Sequence, residues 1–260
     1  MKNWSQFLMP YGQAVDELKL KFRALRKVYQ NQGEHSPIEF VTGRVKPVNS
    51  ILEKMQRRYI REDVLETDMQ DIAGLRIMCQ FVEDIYQVAD LIRQRNDMTV
   101  IEERDYVSNS KPSGYRSYHI VIEYPLQLID QEKKVLVEIQ VRTLSMNFWA
   151  TVEHSLNYKY QGEFPEEISE RLKRAAEASF MLDQEMSEIR EEIQEAQRYQ
   201  YDQQQGDPAS LEADLSAADT GTGAADHAAG TGVPASDSSL AQSDEPTAPQ
   251  HPNDKNGAAS

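Results

Sequence analysis

The sequence predicts an α+β domain: a mixed β-sheet of four or five strands flanked by helices, with long N- and C-terminal helices and a disordered tail. Three observations carry that expectation. Between Trp4 and Tyr29, the residues Phe7, Tyr11, Val15, Leu18, Phe22 and Leu25 recur at spacings of three and four, one face of an amphipathic helix. Between Lys134 and Arg142, alternation puts Val135, Val137, Ile139 and Val141 on one side and Leu136, Glu138, Gln140 and Arg142 on the other, the period of a strand. Across the whole chain the order is helices, strand, helix, three strands, then helices, which implies helices on one face and at the ends of the sheet.

The elements follow in order. The first helix breaks at Asn31-Gln32-Gly33, and Pro37 ends any continuation. The segment Thr42-Gly43-Arg44-Val45-Lys46-Pro47 reads as a turn, with Pro47 in the first turn of a second helix that runs to about Tyr59. Ile72 to Phe81 is a buried strand and Asp84 to Arg95 a helix. Thr99 to Val107 and Ser117 to Tyr124 are strands separated by the polar loop Ser108 to Arg116. Two helices close the domain, near Leu144–Tyr160 and Pro165–Gln200, the second free to pack on the core or on another subunit through Leu172, Ala176, Met186, Ile189 and Ile193. These segments make up a domain over residues 1–202. Residues 203–260 are rich in Ala, Ser, Asp, Gly, Thr and Pro, which bury too little surface to offset chain entropy, and are expected to be a disordered acidic tail.

Composition narrows the function classes. The net charge of −15 disfavours unspecific nucleic-acid binding by the chain as a whole, although nine of the acids lie from Gln203 onward against the single cation Lys255. The hydrophobic fraction of 39% is low for a fully globular chain, as a disordered end would make it. One cysteine, Cys79 in an apolar run, excludes an internal disulfide and fits a reduced cytoplasmic setting. No stretch of about 20 apolar residues is present to span a membrane, and the polar, helical N-terminus is unlike a signal peptide.

The chemistry is concentrated in three blocks: Asp71–Arg76, Ser113–His119 and Val137–Thr143. A strand with Glu138, Gln140 and Arg142 on one face borders either solvent or a site. Asp71 precedes a strand opened by Gly74, and Arg76 lies on that strand beside Ile77, Met78 and Cys79, where a guanidinium needs a carboxylate or a phosphate. Asp71 and Glu138 are either a magnesium-binding pair, since that ion takes few protein ligands beside nucleotide phosphates, or ion-pair partners of Arg76 and Arg142. The loop around Lys111, Ser113 and Gly114 carries Tyr115, a stacking platform for a base or a half-buried anchor. His119 is a phosphate or hydroxyl partner or a structural hydrogen bonder. Arg44 and Lys46 precede a helix N-terminus, and Lys54 lies on that helix, a group suited to a triphosphate. Arg57, Arg58 and Arg61 read as a solvated face, while Arg104 and Lys111 add charge around the strands. Asn147, Thr151, His154 and Tyr158 share a helix face that suits a purine pocket.

In this order, HSPIEFVTGRVKPV, MQDIAGLRIMCQF, SGYRSYH, VEIQVRT and MNFWATVEHSLNYKY resemble the synthetase domain of the RelA/SpoT family, and most closely its stand-alone small alarmone synthetases of the RelQ type, over residues 4 to 197. The resemblance implies a nucleotidyltransferase-like sheet and an enzyme that transfers pyrophosphate from ATP to the ribose 3′-hydroxyl of GDP or GTP, giving (p)ppGpp and AMP. It implies Mg2+ at Asp71 and Glu138, with Glu138 activating the hydroxyl. Tyr115 then stacks on guanine, with His119, Gln140, Arg142, Asn147 and His154 around the acceptor. Arg44, Lys46, Lys54, Arg76, Arg104, Lys111 and Ser113 fall around ATP. It also implies a homotetramer with (p)ppGpp as an allosteric ligand near Lys19, Arg23, Phe40 and Thr42. The His-Asp motif of the family's hydrolase domain is lacking, so synthesis without hydrolysis is expected. The competing expectations are a nucleotidyltransferase, for which Gly-Ser before Asp-x-Asp is missing, and a non-catalytic guanine-nucleotide or single-stranded RNA binding module. The choice among GMP, GDP and GTP as acceptor stays open.

Overall fold

The computed structural model describes residues 3–160 and 164–206. The sheet, its helices and the site all belong to one compact unit, Met1–Gln204. Among the described residues five strands are present: β1 (Phe40–Val45), β2 (Ala73–Cys79), β3 (Thr99–Asp105), β4 (Tyr118–Gln127) and β5 (Glu132–Thr143). They lie in the order β1-β2-β5-β4-β3, with β2 and β5 parallel and the other pairs antiparallel, so the sheet is mixed as expected. The helices are α1 (Trp4–Gln32), α2 (Val48–Arg58), α3 (Leu65–Asp68, after a 3-10 turn), α4 (Val82–Arg93), α5 (Leu144–Lys159) and α6 (Glu166–Gly206).

Strand β1 corrects the sequence reading, which took Thr42–Pro47 for a turn. Gly43 and the nearby Pro47 are turn signals, yet Val41 is buried and Phe40–Val45 pairs along its whole length with β2. Gly43 is needed because α1 presses against this strand. A Cβ there would stand 2.8 Å from Val15 Cγ1 and 3.3 Å from the Gly74 carbonyl oxygen.

One face of the sheet is apolar and holds the core. Leu75, Ile77, Ile139, Val141, Ile120 and Ile122 pack there with Tyr11, Val15, Leu18 and Phe22 of α1 and Ile85, Val88 and Ile92 of α4. Asn3 caps α1 by accepting from the Gln6 amide at 3.2 Å, and Gly33 ends it in the left-handed region at φ 71°. Helix α6 is anchored at several points. Asp183 accepts from Thr143 Oγ1 and Ser145 Oγ at 2.6 Å each, and Arg190 pairs with the fully buried Asp84 at 3.3 Å. Leu172 and Ala176 pack inward, whereas Leu182, Met186, Ile189 and Ile193 are exposed.

The tail expected at 203–260 lies outside the described residues from 207 onward, and residues 203–206 continue α6. Among the described residues no helix is long and apolar enough to cross a membrane.

Candidate active site

The opposite face of the sheet is polar, and register explains how. Residues paired across neighbouring strands point to the same side. Thr42 pairs with Arg76, Arg76 with Gln140, Gln140 with His119, and His119 with Arg104. One row of polar side chains thus crosses all five strands; alternation had placed Gln140 opposite the core, whereas Thr42 was expected in a turn. The next row contains Arg44, Gly74 and Glu138. Arg44, expected in a turn, is therefore held on a strand beside Gly74.

Two clefts open on this face, of about 160 Å³ and about 330 Å³. The smaller is lined by Thr42, Arg44, Gly74 and Arg76, the larger by Lys54, Arg57, Arg58, Arg104, Lys111 and His119, among others. Lys46, Asp71, Glu138 and Gln140 line both. The two carboxylates singled out from the sequence thus stand on the wall common to two chambers.

Neither carboxylate has the ion-pair partner that the alternative reading gave it. Asp71 Oδ2 accepts from Lys46 Nζ at 3.0 Å, and Lys54 Nζ pairs with Oδ1 at 2.8 Å. Burial pushes the Asp71 carboxyl up, but the two ammonium groups outweigh it and the net pKa falls below the usual value. Glu138 Oε2 accepts from Gln140 Nε2 at 2.8 Å, and Oε1 stands 3.1 Å from His119 Nδ1. Burial again pushes up, the His119 and Gln140 interactions pull down, and the net pKa is lowered. Arg142 does not pair with Glu138; it donates to Gln140 Oε1 at 2.7 Å.

Arg76 also departs from ion pairing. Among the described residues it forms no salt bridge, and burial followed by the charges of Arg142 and Arg44 lowers its pKa. A half-buried cation facing other cations is a site prepared for an anion. Lys111 is in a similar position. Burial lowers its pKa, Glu138 opposes, and Arg104, Arg142 and Arg58 lower it further.

Tyr115 sits at the centre of a second network. Its hydroxyl is 2.8 Å from His119 Nε2 and accepts from Arg142 Nη2 at 2.6 Å, so His119 links Tyr115 to Glu138. Lys111 Nζ lies 4.8 Å from the Tyr115 ring centroid, and the Arg142 guanidinium carbon 5.1 Å. Arg142 is 4% exposed and also donates to Ser117 Oγ at 3.2 Å. Asn147 Oδ1 is buried and unpartnered.

The structure does not gather every expected residue. His154 is exposed on α5 and lines neither cleft, and the side chain of Tyr158 lies outside the described residues. Ser113 is exposed, its Oγ accepting from the Tyr115 amide at 3.4 Å. Lys19 and Arg23 lie on α1 and Phe40 and Thr42 on β1; Thr42 lines the smaller cleft, while Arg23 is exposed. Arg57, Arg58 and Arg61 are exposed as expected; Arg57 and Arg58 also line the larger cleft, while Arg61 pairs with Asp63. Gln70 and Tyr106 join that wall unforeseen. The aromatic Tyr106, two residues from Arg104 at the start of a polar loop, was the available signal.

Comparison with known proteins identifies relatives of the chain. A family model described as a region found in RelA / SpoT proteins matches residues 43–163. The chain is 62% identical over 196 residues to the GTP pyrophosphokinase YjbM of Bacillus subtilis, covering 75% of this chain and 92% of that protein. It is 38% identical over 195 residues to the GTP pyrophosphokinase YwaC of the same organism, with coverage of 74% and 93%. The crystal structure of small alarmone synthetase 1 from Bacillus subtilis bound to its product pppGpp superposes with a TM-score of 0.72 at 61% identity, covering 75% of this chain and all 100% of that one.

Proposed function

The chain belongs to the RelA/SpoT family of enzymes that transfer pyrophosphate from ATP to GDP or GTP, forming (p)ppGpp, and on that premise we propose how its cleft residues divide the work. The observation that carries the proposal is the position of the two carboxylates: Asp71 and Glu138 line both cation-rich clefts, and His119 joins Glu138 to Tyr115, which lines neither, so a donor in the clefts and an acceptor on Tyr115 meet at one reacting centre.

ATP enters with adenine between Arg44 and Arg76 in the smaller cleft, and its phosphates extend among Lys46, Lys54, Arg104 and Lys111. Arg76 forms no salt bridge among the described residues, so its guanidinium plane is free to stack on the base while its charge favours the adjoining phosphates. The additional cations Arg57 and Arg58 neutralise the transferring group and the departing AMP. The acceptor base stacks on Tyr115, with Asn147 Oδ1 as a hydrogen-bond acceptor and Gln140 and Arg142 beside the ribose and phosphates. Glu138 accepts the proton of the 3′-hydroxyl. Its lowered pKa keeps it ionised near neutral pH, and His119 holds its orientation.

The residues present fit Mg2+. Asp71 and Glu138 are partly buried carboxylates that line the same two clefts among the cations, and both are held ionised by lowered pKa values. Magnesium takes few protein ligands and completes its shell with water and phosphate oxygens, so two such carboxylates suffice. When bound by Asp71 and Glu138, the ion supplies charge withdrawal from the phosphates.

The exposed Leu182, Met186, Ile189 and Ile193 on α6 support self-association, in keeping with a homotetramer. Lys19, Arg23, Phe40 and Thr42, on the packed pair α1 and β1, are the group to test for product binding.

The reaction is tested with γ-labelled ATP and each of GMP, GDP and GTP. The expected result is label on the guanosine nucleotide with release of AMP. Label leaving only as free phosphate or pyrophosphate overturns the proposal.

A further inference from the structure

The loop that carries Tyr115 rests on α6 through a contact that only the smallest residues allow. Gly114 closes a tight turn. Its amide donates to the Lys111 carbonyl at 2.8 Å, and the Lys111 amide donates to the Tyr115 carbonyl at 3.1 Å. Gly114 has φ 87°, a conformation that side chains disfavour. A Cβ at this position would lie 2.6 Å from Ala176 Cβ and 3.6 Å from the Lys173 Cα and carbonyl oxygen. Loop backbone and helix backbone are thus separated by one methyl group.

Ala176 is 5% exposed and forms, with Trp149 and Ala150, a small apolar cluster separate from the main core. Tyr115 and Leu172 pack on that cluster. The next residue of the loop is tied to the same helix. The Arg116 guanidinium stacks 3.7 Å from the Phe180 ring centroid, lies 3.6 Å from Glu177, and donates to the Val107 carbonyl at 2.5 Å. The helix is itself fixed to the strand that carries Glu138. Asp183 accepts from Thr143 at the end of β5, and Trp149 Nε1 of α5 donates to the Leu172 carbonyl at 2.9 Å.

We propose that α6 is a positioning element for the acceptor nucleotide, with Ala176 setting how deeply Gly114 seats and therefore where the Tyr115 ring stands relative to Glu138. The proposal rests on the reading of Tyr115 as the platform for the acceptor base. Displacing the loop also moves the Tyr115 hydroxyl away from His119 and Arg142. Of the cations assigned to ATP only Lys111 belongs to this turn, while Arg44, Lys46, Lys54, Arg76 and Arg104 lie outside it and keep their places. A bulkier residue at 176 therefore weakens acceptor binding far more than ATP binding, because a close-packed contact accommodates added methyl groups only by displacement.

The test measures KM for GDP, KM for ATP and kcat on the full chain carrying Ala176→Val. Overpacking of this kind is expected to raise KM for GDP roughly tenfold and to leave KM for ATP within about twofold. Ala176→Gly removes the methyl group without lifting the loop and should keep KM for GDP near the wild-type value. An equal rise in both KM values, or an unchanged KM for GDP in a folded Ala176→Val protein, overturns the proposal. If Ala176→Val does not fold, Phe180→Leu, which removes the ring beneath Arg116, must raise KM for GDP selectively or the proposal fails. Tyr115→Ala separates the premise from the inference. An unchanged KM for GDP in that variant refutes the platform itself, whereas a raised value beside an unaffected Ala176→Val refutes the role of α6 alone.

Discussion

His119 Nδ1 stands 3.1 Å from Glu138 Oε1 on the adjacent strand, and its other ring nitrogen meets the Tyr115 hydroxyl at 2.8 Å. The proposed proton acceptor and the proposed base platform are thus connected through one imidazole. That link makes the site testable residue by residue.

Glu138→Gln should lower synthesis by roughly 10²–10⁴, the range for loss of a general base, with ATP affinity largely intact. Single-turnover transfer and separate titration of ATP check this, and normal turnover would remove Glu138 from its role.

The pH profile follows from the lowered Glu138 pKa. A carboxylate whose pKa is depressed stays charged to lower pH, so the acid limb of kcat/KM attributable to it should fall below 4.5, its unperturbed value. Burial acts in the opposite direction, and the His119 hydrogen bond is the largest of the lowering influences. His119→Asn should therefore move that limb to higher pH. A limb that does not move would show that His119 leaves the carboxylate's charge unaffected.

Arg76→Met should separate stability from function. Replacing a half-buried, unpaired cation that faces Arg44 and Arg142 is expected to stabilise the fold by about 1 kcal/mol while weakening ATP binding at least tenfold. Chemical denaturation and ATP titration measure the two effects. A destabilised variant that binds ATP normally would contradict both.

Tyr115→Phe keeps an aromatic face but removes the hydroxyl from His119 and Arg142. GDP affinity should fall only a few-fold while kcat drops about tenfold, since loss of a hydrogen bond to a charged group is worth about 1.5–3 kcal/mol. Tyr115→Ala should lose GDP affinity as well, by about the 1–3 kcal/mol of a base–aromatic stack. Equal GDP binding by all three proteins would exclude stacking.

Asp97 supplies a stability signal remote from the site. The Arg95 hydrogen bond holds its carboxyl well below the usual range, with burial opposing and Lys21 assisting. For a depressed carboxylate the stabilisation is complete above the unfolded pKa of about 3.9 and is lost as pH falls toward the folded value. Asp97 is partly exposed, so screening limits the contribution to about 1 kcal/mol or less. Asp97→Asn should thus lower stability at pH 7, and the gap from wild type should narrow steadily below about pH 4. A pH-independent gap would assign the loss to packing.

Local pattern made much of the molecule legible. The face of α1 that packs on the core, the inward Val135, Val137, Ile139 and Val141, and the outward Glu138, Gln140 and Arg142 all follow from periods of 3.6 and 2 within one stretch of chain. The residue blocks around Asp71, Tyr115 and Glu138 were equally visible, because charged and aromatic groups beside apolar strands require a reason. What was missed depends on neighbours far along the chain. Phe40–Val45 is a strand because β2 offers it a pairing edge, and Gly43 marks the approach of α1 rather than a turn. Arg57 and Arg58 are solvated as read, and only the placement of α2 adds that they border the larger cleft; His154 is exposed and lines neither cleft.

By itself the sequence determined which side chains alternate away from the core and which chemical groups the chain carries. Only the tertiary structure decided that Thr42, Arg76, Gln140, His119 and Arg104 fall in one row across five strands, with Asp71 and Glu138 lining the same two clefts. The physical reason is that periodicity is a property of one segment, whereas strand register is fixed by the partners a strand meets, and those partners are distant in sequence.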